Sequence, residues 1–145
     1  MDIPPPSDEV AAGIESGTFE ELLTEVMGQV DRFGHREHVH LTWLAVRRYG
    51  PSAATAVVGS GIQRTARYAG APQKYNETVS RAWVEMVAHH VAQDASDDFA
   101  GFAHRHAALL DKRLIARHYN AATLATAAAR GGWVEPDRAP FPWHR

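Results

Sequence analysis

Three of the nine histidines fall in one short run, Phe33-Gly34-His35-Arg36-Glu37-His38-Val39-His40. On a helix the i,i+3 spacing sets His35 and His38 side by side, whereas His40 lies about 200° around the axis from His38. Imidazole is both a metal ligand and a proton carrier near neutral pH, so the pair can supply half of a divalent metal site, or a general base with its partner. The chain has no cysteine, which removes disulfides, thiolate nucleophiles and sulfur-ligated metals and leaves His, Asp, Glu or water as ligands. Glu77 is the carboxylate that completes the set. His35, His38 and Glu77 would leave open positions on zinc, iron or manganese, a constellation for hydrolysis, hydration or oxygen chemistry with metal-bound water as nucleophile. The same residues have an ordinary reading, in which the histidines hydrogen-bond at a surface turn. Glu77 would then occupy the first turn of a helix capped by Asn76, where free amides favour a carboxylate.

Around that core, Trp43, Trp83 and Tyr75 can wall a small-molecule cavity, although aromatics at helical spacing commonly fill a core. Arg64 is read as a polar pocket wall or as the outer face of its helix. Arg81 is read as a clamp for a substrate carboxylate or as the i,i+4 partner of Glu77. His90 shares the apolar side of its helix with Trp83, Met86 and Val87, so it should be a core histidine with satisfied nitrogens. His89 reads as solvent-facing, His104 and His106 as non-catalytic, His118 as a cap or ligand at a segment end, and His144 as exposed. Ser52, Ser60 and Ser80 have no base-and-acid motif that would make a nucleophile.

The elements that position these residues are helical. Thr18 followed by Glu21 is a capping box, and Phe19, Leu22, Leu23, Val26, Met27 and Val30 then recur on one face, predicting a helix over 18–31. Residues 1–17, rich in Pro, Ser, Gly and acid, are expected to form a flexible arm with at most a short turn at 8–14, leaving 18–145 as a single helical domain. A second helix is predicted over 36–49 and stops at Gly50-Pro51. Pro51 opens a third, with Ala54, Val57, Val58, Ile62 and Thr65 on its buried side and Gly59 and Gly61 permitting close packing. The series Val79, Trp83, Met86, Val87, His90 and Val91 marks a long fourth helix. Ser96 caps a fifth carrying Phe99, Phe102, Ala103, His106, Leu109 and Leu110. A short alanine-rich helix follows at 121–129, Gly131-Gly132 stops it, and the tail is an irregular strap whose tryptophans pack on the body. With no alternating apolar run to anchor a sheet, the fold class is all-α: a compact, bundle-like domain of about five main helices.

The 145 residues suit one ordinary domain. A formal charge of −2 gives no long-range attraction to phosphate backbones, and Gly59-Ser60-Gly61 lacks the residues of a phosphate-binding loop, so nucleic acid and nucleotide are unexpected partners. There is no apolar run long enough for a membrane span, and the Met1-Asp2-Ile3-Pro4 start lacks the basic and apolar parts of a secretory signal. A cytoplasmic protein is expected.

Three patterns point beyond composition. Phe33-x-His35-x-x-His38, then Tyr75-Asn76-Glu77-Thr78 followed by Trp83, and finally Gly132-Trp133-Val134-Glu135-Pro136 together resemble a family of small helical bacterial proteins of largely uncharacterised function. The match runs from about Phe33 to Pro142. The family pattern has histidine where this chain has Asn76, and the resemblance implies a shared helical fold without implying a particular reaction. From the residues themselves, the leading expectation is a metal-dependent enzyme acting on an organic small molecule through His35, His38 and Glu77. The alternative is a non-enzymatic module that binds a small molecule in a cleft of Trp43, Trp83, Arg64 and Tyr75, or that binds a protein partner. A third reading is an interaction protein whose exposed helical face forms a homodimer.

Overall fold

The computed structural model describes residues 8–28 and 30–143, with side chains from residue 17 onward. Among them there is no strand. Five main helices, α1 (Asp8–Met27), α2 (His35–Tyr49), α3 (Pro51–Tyr68), α4 (Glu77–Gln93) and α5 (Phe99–Arg105), are followed by two short ones, α6 (Ala121–Leu124) and α7 (Ala127–Gly131). Tight 3₁₀ turns at Pro72–Lys74, Ala107–Leu110 and Lys112–Arg117 link them. The all-α expectation holds.

Helix α1 begins ten residues before the Thr18–Glu21 box, so residues 8–17 are helical and Thr18 lies inside the helix. Residues 1–7 of the expected arm, and His144, lie outside the described residues. Phe19, Leu22 and Val26 are the buried stripe of α1. They meet α3 at Gly61, where an added Cβ would stand 2.1 Å from the Phe19 ring. The close packing expected of this glycine is therefore real, and it offsets the weak helix propensity of the residue.

Helices α2, α3 and α4 pack on one another around a core of Val39, Leu41, Ala45, Val58, Val84 and Val87. Each fully buried aliphatic side chain of this kind contributes roughly 1.5–3 kcal/mol against an exposed one. The cap of α5 differs from expectation: Asp98 accepts from the Gly101 amide, while the buried Ser96 donates its hydroxyl to Asp94 at 2.6 Å. Thr65, expected on the buried side of α3, is exposed and turns its hydroxyl back to the Gly61 carbonyl at 2.9 Å.

The tail beyond α7 is an irregular strap tied to the body. Thr78 of α4 donates to the Gly132 carbonyl at 2.6 Å and accepts from the Val134 amide at 3.2 Å. Tyr119, buried, donates to the Val134 carbonyl at 2.6 Å. Asp137 accepts from the Asn120 amide and the Thr123 hydroxyl, and Phe141 is buried against the core.

Candidate functional site

Helix α2 starts at Gly34, whose amide donates to the Glu37 carboxylate at 2.9 Å. That cap makes His35 the first helical residue. His35 Nε2 lies 2.9 Å from the Leu109 carbonyl; a carbonyl only accepts, so the ring proton sits on Nε2. The edge of the same ring meets the Trp83 indole, with centroids 4.5 Å apart. One turn on, the His38 ring lies 6.2 Å from that of His35, as the i,i+3 spacing required. Among the described residues, His38 makes no ring hydrogen bond. Burial, with the neighbouring His35 adding to it, pushes its pKa down to about 4, so the ring is neutral near pH 7.

His38 faces α4 across a cavity of about 130 Å³, whose apolar wall is Ile62, Val79 and Trp83 and whose polar members include Tyr75 and Ser80. The exposed Lys74 stands at its rim. Asn76 contributes a spent amide: its Oδ1 accepts from Val79 N at 3.0 Å, capping α4 as expected, and its Nδ2 donates to the Leu124 carbonyl at 2.7 Å.

Tyr75 donates its hydroxyl hydrogen to the Glu77 carboxylate. The phenol oxygen lies close to Gly59 of α3; a Cβ there would stand 3.2 Å from it and 3.8 Å from the Ser80 hydroxyl. Burial first, and then Glu77, hold the Tyr75 pKa well above the usual phenol value, while the nearby Ser80 hydroxyl acts the other way.

These positions overturn the metal centre. No group of three His, Cys, Asp or Glu among the described residues can hold a metal ion. His35 spends Nε2 on Leu109 and Glu77 binds Tyr75. Glu77 also lines a separate groove of about 440 Å³ with Pro51, Ser52, Thr55, Arg81 and Glu85, whereas His38 lines the cavity on the other side. The two-His, one-carboxylate set, its zinc, iron or manganese, and the metalloenzyme built on His35, His38 and Glu77 are therefore withdrawn. Sequence spacing correctly paired the histidines, but it carried no information on which side of α4 the carboxylate would fall.

The expected binding cleft also divides. Tyr75 and Trp83 share the His38 cavity. Trp43 is buried 5.7 Å from Phe99 and lines a different groove with Glu25, His40 and Arg47, the last stacked over its indole at 4.6 Å. Arg64 lies 5.9 Å over the Phe19 ring. Arg81 pairs with Glu85 at 3.2 Å rather than with Glu77, and stacks on Trp133 at 4.4 Å. Trp43 Nε1 and Arg64 Nη2 are buried and have no hydrogen-bond partner among the described residues.

A second polar cluster escaped sequence reasoning because its members are twelve residues apart, beyond any helical spacing. His106 Nε2 lies 2.8 Å from Asp94, which also accepts from Arg105 at 2.9 Å and from Ser96. Hydrogen bonds from Arg105 and Ser96, ahead of that from His106, hold the Asp94 carboxyl well below the carboxylate range. His90 is partly buried and packs 4.6 Å from the His106 ring. His89, expected in solvent, stacks on Trp143 at 4.7 Å. His118 donates from Nδ1 to the Ala139 carbonyl at 2.7 Å, a tie for the strap.

Compared with family models, with curated proteins and with solved structures, the chain finds no match in any of the three.

Proposed function

We propose that this protein binds a small organic molecule in the cavity between α2 and α4, without a metal. The observation that carries the reading is His38: a neutral, half-buried imidazole whose ring makes no hydrogen bond among the described residues and lines a largely apolar space. An imidazole without a partner on the wall of such a space is free to exchange a hydrogen bond with a bound molecule. A cavity near 150 Å³ takes up benzene, so about 130 Å³ suits a single ring or a molecule of similar size. The Trp83 indole supplies a flat apolar wall and His38 the polar anchor.

The family resemblance belongs to the same proposal. Its patterns converge on α4, where His35 meets Trp83, Glu77 meets Tyr75, and Thr78 holds Gly132 and Val134. Cytoplasmic location and homodimer formation are proposed with it. None of the described helices is long and apolar enough to cross a membrane, and Tyr68, 90% exposed at the end of α3, is an aromatic that a second copy would cover.

The test is a titration of chelator-treated protein with toluene and phenol, followed by NMR at the Trp83 indole N–H and the His38 ring. Saturable shifts at both are expected, and Val79→Phe, which fills the cavity, should abolish them. Absence of saturable shifts with either probe would overturn the reading.

A further inference from the structure

We propose that the ligand of this cavity is a small aromatic monocarboxylic acid, its ring against Trp83 and its carboxylate at the mouth beside the Lys74 ammonium. The inference rests on the small-molecule reading above and adds the charge of the ligand.

Charge enters the cavity wall through one residue. His38 is neutral near pH 7, no aspartate or glutamate lines the cavity among the described residues, and Lys74 does. Lys74 closes the 3₁₀ turn Pro72–Lys74. Its amide donates to the Ala71 carbonyl at 3.0 Å and the Tyr75 amide to the Pro72 carbonyl at 3.2 Å, which fixes the backbone that carries the lysine. The side chain is exposed and makes no hydrogen bond or ion pair with a described residue. Glu77, three residues on, binds the Tyr75 hydroxyl and lines the other groove instead.

The other polar groups have little to give an anion. Asn76 spends its amide oxygen on Val79 and its amide nitrogen on Leu124. Tyr75 spends its single hydroxyl hydrogen on Glu77. Lysine supplies what both lack, three donors and a full positive charge, and its stem can lie along an apolar edge while the ammonium stays in water.

Size then places the charged group. About 130 Å³ holds one ring, so a carboxylate on that ring stands at the opening. Carried inward against Ile62, Val79 and Trp83 it would lose its hydration; at the mouth it keeps water and gains Lys74. The whole chain carries a formal charge of −2, which disfavours anions at long range, so a preference for a carboxylate has to come from this local charge.

The experiment measures dissociation constants of the full chain for benzoate, benzamide, benzamidine and toluene by protein-detected NMR at pH 7 and low salt. The first three share a shape and differ in charge, and toluene reports whether the cavity is intact. Wild type is expected to bind benzoate about two- to fivefold more tightly than benzamide, the size of one exposed charge pair, and benzamidine most weakly. Salt at about 0.5 M should shrink these gaps. Lys74→Gln should bring benzoate level with benzamide, and Lys74→Glu should put benzamidine ahead, with toluene affinity kept in both because the position is exposed. A wild type that binds toluene but not benzoate, or that prefers benzamidine, would overturn the assignment while leaving small-molecule binding intact. So would a benzoate preference unchanged in Lys74→Glu. Failure of all four probes to bind wild type would remove both readings together.

Discussion

His38 shows how one residue's surroundings decide its behaviour. Its type and its spacing from His35 are plain in the sequence, but its low pKa comes from burial in the assembled fold, with His35 adding to it. The consequence for stability has a definite sign. With a folded pKa of about 4 against an ordinary 6.5, the unfolded chain takes up a proton in that window that the folded chain refuses. Stability is therefore fully present above about pH 6.5, declines as pH falls, and levels off below about pH 4, a loss of up to about 3 kcal/mol from this group. Urea unfolding between pH 4 and 8 should show the decline, and His38→Gln should flatten most of it. A residual slope is expected from His40 and His90, whose pKa values are also lowered, chiefly by burial. An unchanged slope in the variant would mean that His38 protonates freely in the folded protein.

At the scale of elements, glycines carry as much information as the aromatics. Gly59 and Gly61 sit two residues apart in α3 and serve opposite sides of it: Gly61 admits the Phe19 ring from α1, and Gly59 admits the Tyr75 hydroxyl next to α4. Propensity alone makes Gly→Ala in a helix favourable by about 1 kcal/mol. At position 61 overpacking should prevail, because the new Cβ would fall inside the Phe19 ring contact and two helices would have to separate. Gly61→Ala is expected to destabilise the fold by about 1–3 kcal/mol, measured by denaturant midpoint. A gain in stability would show that α1 can shift without loss. The predicted helix ends were good where a cap or a proline marks them, at Gly50-Pro51 and at Asn76. They failed at Thr18, since a capping box is a local signal that a continuing helix overrides.

Across the whole molecule, the strap closes the fold by returning to the start of α4. Thr78, fully buried, is the hinge of that closure because its one hydroxyl serves both the Gly132 carbonyl and the Val134 amide. Thr78→Val keeps the shape and strands both backbone groups, which should cost about 1–3 kcal/mol. Hydrogen exchange at the Val134 amide should accelerate while amides in the middle of α3 stay protected; unchanged exchange at Val134 would mean that the ties from Tyr119, Asp137 and His118 hold the strap without Thr78. Release of the strap also removes Trp133 from Arg81, which loosens the outer groove rather than the His38 cavity.

The sequence by itself determined that the chain is all helical, that α2, α3 and α4 lie near their observed bounds, and that His35 and His38 share a turn. Each of these rests on periodicity, caps or spacing within about a dozen residues, and such local rules are encoded along the chain. Tertiary structure decided everything that required two elements to meet. It gave His35 to the Leu109 carbonyl, turned Glu77 to Tyr75 and the outer groove, parted Trp43 and Arg64 from Trp83, and joined His106 to Asp94. The side of α4 on which each side chain falls follows from how α2, α3 and the strap pack around it. That packing is a property of the assembled core, and no spacing within a single helix contains it.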